Sequence, residues 1–275
     1  MPKKVKGPKP VLSCPSDVRE IRLLATSFYE IQACRIQIGN RIAMLQKDYG
    51  VDLVEASTMH ERVFPRLEEA EEAIGERVRE YARQYPIFTG WIQHEVKGVA
   101  EILTGGLLAG IRDIGRFATV SKLWKYCGVG IHEDGSIQKR QKGQRIDYSP
   151  FCKVIAWKLG EQFVKIGDRG YYGLKYREFK EQEQRKAAAR GLVILPQAEI
   201  DALPEEQRAD KMSEGHVHNR AKRKVSKLFL SHLWWVWREM EGLPVRNPYV
   251  VEKFPEHHYD PPPGWPVRKA VEAAD

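Results

Sequence analysis

Cysteine is scarce: Cys14, Cys34, Cys127 and Cys152 are the four in 275 residues, and no two form a CxxC step. That usage argues against a disulfide framework and fits a reducing cytosol. Long apolar runs are missing. No stretch approaches the roughly 18 consecutive apolar residues of a membrane span. The opening MPKKVKGPKP has no apolar segment of the kind a secretion signal needs. A cytoplasmic location and no membrane partner are therefore expected. Strand-type alternation is weak, and no internal repeat is visible. The common catalytic signatures are absent as well: no P-loop, no GxGxxG between a strand and a helix, no HExxH and no GxSxG. No carboxylate pair has a clear catalytic context. No metal site and no resident cofactor are expected; Mg2+ would enter only with strand cleavage.

What is present is a core-forming amount of apolar residue, 42%, beside 30% charged residues. Lys and Arg number 45 against 37 Asp and Glu, a net charge of +8 that favours a polyanionic partner. Residues 1–13 are rich in Lys and Pro with no acid, which suits a disordered basic tail or an arm that touches phosphates. The periodicity of Ile21, Leu24, Phe28, Ile31, Ile36, Ile38, Ile42 and Leu45 predicts a helix over 15–48, ended by Tyr49-Gly50. A second helix is predicted over about 56–83, with Leu67, Ala70, Ile74 and Val78 inward and its run of glutamates as a solvated face. Together they predict an antiparallel helical or coiled-coil arm.

Residues 87–131 read as short helices broken by Gly98, Gly105-Gly106, Gly110 and Gly115. Residues 132–150 read as a basic loop or ribbon, 151–166 and 172–190 as helices, 191–210 as an inserted connection and 216–241 as a last strong helix. Beyond 244, prolines predict an extended surface segment. The last helix is expected to set Ala221, Val225, Leu228, His232, Trp235 and Val236 on one face and Arg220, Lys224, Lys227, Ser231 and Arg238 on another.

Three constellations point to nucleic acid. The turn Lys97-Gly98-Val99-Ala100, flanked by helical sequence, fits a helix-hairpin-helix whose amides approach a phosphate; an ordinary turn between core helices is the alternative. The ribbon places Lys139, Arg140, Lys142 and Arg145 within seven residues without an acid, interleaved with Gln and Gly. Each phosphate such cations neutralise adds affinity and salt dependence, although a solvated loop would look the same. The last helix carries Arg220, Lys224 and Lys227 in a cationic stretch near its N-terminus, where the helix dipole disfavours them unless a polyanion is near. His216-x-His218 suits local polar or capping roles better than a metal, and Trp234, Trp235 and Trp237 suit the core better than base stacking.

The segment from Gly98 to Leu233 resembles the C-terminal domain of the insertion sequence 110/116/902 transposase family. The residues that carry the resemblance are Val96-Lys97-Gly98-Val99, then LLAGIRDIGRF over 107–117, then SKLWKYCGVG over 121–130, then Lys139-Arg140-Gln141-Lys142-Gly143-Gln144 and Tyr148-Ser149-Pro150. The resemblance implies a helix-hairpin-helix DNA-binding domain preceded by a coiled-coil arm. Members of that family also carry an RNase H-like domain with acidic metal ligands, a pattern that residues 1–95 do not supply, and a nucleophilic serine in an SG step. Here that step reads Asp134-Gly135, with Ser136 following as the displaced candidate nucleophile.

These readings combine into one expectation. The chain is mainly α, with a basic tail (1–13), a helical arm (14–86), a compact helical DNA-binding domain (87–243) and a Pro-rich tail (244–275). It is expected to bind DNA, with structured RNA as the other polyanion, in transposition or recombination and associated with the nucleoid. Its own nuclease domain is expected to be missing and the arm is expected to mediate self-association. The alternatives are an active serine-type recombinase using Ser136 and a structural self-assembling helical protein.

Overall fold

The computed structural model describes residues 18–50, 57–132, 136–140, 142–246 and 260–266. The expected basic tail at 1–13, most of the expected Pro-rich tail and the Asp134-Gly135 step lie outside the described residues. The described chain is mainly helical and falls into two compact units.

The first unit is an arm. Helix α1 (Val18–Tyr49) ends where Gly50 takes φ +89° and returns its amide to the Gln46 carbonyl at 3.1 Å. A π-helical turn, Met59–Val63, leads into α2 (Phe64–Arg83), with Pro65 in its first turn, where a missing N–H costs nothing. The pairing is antiparallel: Gly75 faces the Phe28 ring, Glu71 takes Arg35 at 2.5 Å, and Phe64 faces Gly39. Ile21, Ala25, Phe28 and Ile42 are buried, but Ile36 and Leu45 of the predicted stripe remain exposed. Of the α2 glutamates, Glu68, Glu69, Glu72, Glu76 and Glu80 face outward while Glu71 turns to α1, and several are held by arginines: Arg79 reaches Glu72 at 2.8 Å and Glu76 at 2.9 Å.

The arm also takes α3 (Glu101–Ile111), which sequence reasoning placed in the following domain. Gly105, Gly106 and Gly110 do not break this segment. They lie inside one helix whose residues 104–111 are all buried. A Cβ at Gly105 would collide with the Val78 side chain, so glycine here permits close approach of α3 to α2. Burial outweighs the roughly 1 kcal/mol each glycine costs in a helix. Arg112, at φ +65°, terminates α3.

The second unit is built around its last helix. Its elements are α4 (Val120–Tyr126), α5 (Pro150–Ile166), α6 (Tyr171–Ala189), β1 (Val193–Leu195), α7 (Gln197–Ala202), β2 (Lys211–Ser213) and α8 (Glu214–Met240). Thr119, Ser149 and Ser213 cap α4, α5 and α8 by accepting amides from Lys122, Cys152 and His216. The 191–210 connection contains more order than its composition predicts: β1 and β2 pair in parallel, Val193 opposite Lys211.

Helix α8 packs on α5 and α6. Gly160 lets α5 come close enough for Ser226 Oγ to donate to the Ala156 carbonyl at 3.0 Å. Phe163, Tyr172 and Phe229 form the aromatic centre, and Trp91 stacks on Phe229 at 6.1 Å. The predicted polar face of α8 fails in its second half, because residues 229–238 are buried on all sides. Arg238 lies inside and donates to the carbonyls of Pro244, Phe117 and Ile114 at 2.9, 3.1 and 3.3 Å. Trp234 donates to Phe117 O at 2.7 Å, so this tryptophan is part of the core.

His232 is buried and held between two partners. Its Nε2 donates to the Asp260 carbonyl at 2.8 Å, and its Nδ1 accepts the Tyr172 hydroxyl at 2.8 Å. Burial pushes its pKa down to about 4, against the opposing pull of Asp260, and the ring stays neutral. Residues 260–266 are docked on the unit. Trp91 donates to Pro263 O at 2.9 Å, and Trp265 donates to Glu239 at 2.5 Å.

Candidate nucleic-acid interface

The basic ribbon is anchored by the residues at its two ends. It leaves α4 through Gly128, at φ +66°, and returns to Ser149 at the cap of α5. Ile131 and Ile137 form an antiparallel bridge, and the His132 amide donates to Ser136 O at 2.9 Å. The pin is Gln138, only 2% exposed. Its side-chain carbonyl accepts from the Gly130 amide at 3.1 Å and its amide donates to Asp147 at 3.0 Å. Its backbone carbonyl accepts the Lys153 ammonium at 2.6 Å. Burying Gln138 turns its neighbours outward: Lys139, Arg140, Lys142 and Arg145 are all exposed, with no acidic partner among the described residues.

Helix α8 sets a second row of cations. His216, Arg220, Arg223 and Lys227 recur at spacings of four, three and four, which is one helical face. Glu183 of α6, 5% exposed, neutralises part of the charge by taking Lys224 at 2.5 Å and Arg220 at 3.3 Å. Burial acts to raise the Glu183 pKa, but the Lys224 bond and the charges of Lys224, Arg220 and Lys186 hold it below the ordinary carboxylate value. Arg223 and Lys227 have no such ion-pair partner among the described residues. Burial, followed by repulsion from Arg223 and Lys224, pushes Lys227 down to about 8. Its ammonium sits 4.1 Å from the Trp124 ring centre, whose indole N–H donates to the Lys227 carbonyl at 3.0 Å.

Ribbon and helix meet over a cleft of about 1020 Å³. Lys139 and Arg145 line it from the ribbon, Lys227 from α8 and Trp124 from α4, and Ser136 opens onto it. The two rows sense each other. His216 is pushed below its usual value by burial first, then by Arg220, Arg223 and Lys139 of the ribbon, with Glu183 opposing. The one acid on the lining, among the described residues, is Asp147, and Lys125 at 3.5 Å already answers it. The Gln138 bond and Lys125 together lower the Asp147 pKa.

The other predicted positions lie elsewhere. Gly98 takes φ +92°, and the Val99 amide returns to Val96 O at 3.3 Å. A Cβ at Gly98 would come 2.6 Å from the Ile166 side chain, at the C-terminal end of α5. The ribbon is tied to Lys153 near the opposite end, and the intervening helix spans about 20 Å at its usual rise. The Lys97-Gly98-Val99-Ala100 turn is therefore not part of the cleft. Lys97 and Ala100 are exposed and Val99 is buried. The helix after the turn begins with Glu101, an acid where a phosphate would have to bind. Arg220 belongs to the cationic row and Lys224 borders it, but both are partly spent on Glu183. His218 is occupied by the Tyr176 hydroxyl at 2.6 Å, and no group of three metal-ligating side chains occurs among the described residues.

Trp124, Gln138 and Arg223 do not stand out as site residues in the sequence. Arg223 has one signal there, its spacing to Arg220 and Lys227. Trp124 and Gln138 join the site only through tertiary contacts. No protein-family model matches the chain, and no curated protein matches it.

Proposed function

We propose that this chain binds DNA along its sugar-phosphate backbone, through the cleft between the ribbon and α8. One observation carries the reading: Lys139, Arg145 and Lys227, from two separate elements, converge on one concave surface whose single acid among the described residues is already paired. Burial first, and then repulsion from Arg223 and Lys224 on its own helix, lowers the Lys227 pKa, so the charged ammonium on the cleft is held there at a cost. A polyanion offsets it, and the gain appears as salt-dependent affinity. The motif order of the transposase family that the sequence resembles gives the biological setting: a DNA-binding subunit in recombination or transposition, with strand cleavage carried out by a separate acidic site.

The test is anisotropy of labelled duplex DNA titrated against salt, with wild type beside the double variant Lys139→Gln/Arg145→Gln. Both side chains are exposed, so folding is retained. The expected result is a log–log salt slope shallower by roughly 0.9 for each phosphate that is no longer neutralised. Failure to bind duplex DNA, branched DNA or RNA at low salt overturns the proposal.

A further inference from the structure

The cleft is not lined by charge alone. Ile131, Ile137 and Ile146 border it while remaining 51%, 38% and 36% exposed, and Trp124 contributes an aromatic wall. A duplex backbone gives these side chains nothing to bind. A duplex stacks its base faces inside, and only phosphate, sugar and the base edges in its grooves reach a protein surface. An unpaired nucleotide presents a phosphate and an apolar base face together, the combination found on this lining. The cleft's volume, about 1020 Å³, lies just above the roughly 300–1,000 Å³ range of ligand pockets, so it has room for a nucleotide.

We propose that the cleft takes an unpaired nucleotide of a DNA strand, with its phosphate against Lys139, Arg145 and Lys227 and its base against Trp124, Ile137 and Ile146. The inference rests on the backbone-binding reading above and adds to it the kind of DNA that is bound: bulged, gapped or single-stranded in preference to perfect duplex. Gln138 matters to this selectivity as a positioning residue. By pinning the ribbon from beneath, it holds the bridged Ile137 and the cation that follows it on the same rim. The base wall and the phosphate-binding cations are then presented together without reordering the loop.

The experiment uses the full chain and three labelled DNAs of one sequence: duplex, duplex with a short bulge, and single strand. 2-Aminopurine stands at the unpaired position. The bulge and the single strand are expected to bind about 10-fold tighter than duplex at matched salt, with a change in 2-aminopurine fluorescence. Ile137→Ser, at an exposed position, is expected to reduce the preference for the bulge and the single strand over duplex severalfold. Lys139→Gln is expected to weaken all three. Equal affinity for duplex and bulge with an unchanged 2-aminopurine signal overturns the inference and leaves backbone binding standing. Binding of none of the DNAs overturns both. Tighter binding of single-stranded RNA of the same sequence overturns the assignment to DNA.

Discussion

Lys227 offers the sharpest test of the cleft, because one substitution should move stability and binding in opposite directions. Burial and two neighbouring cations push its pKa from the usual 10.5 down to about 8. A displacement of that size corresponds to roughly 3 kcal/mol of penalty on the charged form. Its position over Trp124 recovers about 0.5–2 kcal/mol as a cation–π interaction. The penalty is the larger effect. Lys227→Met keeps the unbranched chain, removes the charge and should stabilise the protein by about 1–2 kcal/mol at neutral pH.

The pH dependence gives a second readout. Below pH about 8 the native and unfolded chains both hold the proton, and the penalty is present in full. Between about 8 and 10.5 the native chain releases the proton while the unfolded chain keeps it, so wild-type stability rises with pH. Lys227→Met should lack that rise. Urea denaturation at a series of pH values measures both effects. In the same variant DNA affinity should fall, with a salt slope shallower by about 0.9, and the wild-type loss of affinity through pH 8 should disappear. Reduced stability on Lys227→Met, or a wild-type pH profile retained by the variant, would refute the account of a desolvated, crowded ammonium facing the cleft.

Glu183→Gln should destabilise by about 1–3 kcal/mol in urea titration, because it leaves Arg220 and Lys224 facing each other beside a buried amide, with partial solvent access limiting the cost. The contribution of the native carboxylate is complete above the ordinary Glu range and is lost as pH falls through its lowered value. Gly98→Ala should cost about 2–4 kcal/mol, from positive φ and overlap with Ile166, yet leave the salt slope of DNA binding unaltered, since the turn lies outside the cleft. A shallower slope in that variant would restore the turn to the interface. Ser136→Ala should bind DNA as wild type does, and neither protein should nick supercoiled DNA with Mg2+; nicking by wild type alone would establish the serine as a nucleophile.

Much of the framework can be read from the amino-acid order. The apolar spacing that ends at Gly50 marks α1, the helices expected over 151–166 and 216–241 appear as α5 and α8, and the mainly α class follows from such local signals. Caps and periodicity are interactions within a few residues, so they survive into any tertiary arrangement. The glycines mislead for the opposite reason. Gly105, Gly106 and Gly110 are poor helix residues in isolation, and only the Val78 side chain against Gly105 shows why the helix persists there.

The four ribbon cations are visible in sequence because nothing local neutralises them. What local sequence leaves undecided is which distant groups meet. Arg238 carries the same charge as Arg223, yet one is consumed by three carbonyls in the core while the other stands on the cationic face. The Gly98 turn and the ribbon look like parts of one site in sequence, and the length of α5 holds them apart. Sequence determined the helices, the surplus of positive charge and its clustering at 139–145, since these depend on residue type and near neighbours. Tertiary structure decided which cations are answered by Glu183, which face a cleft and which aliphatic side chains share it, because charge pairing and burial depend on three-dimensional distance between residues far apart in the chain.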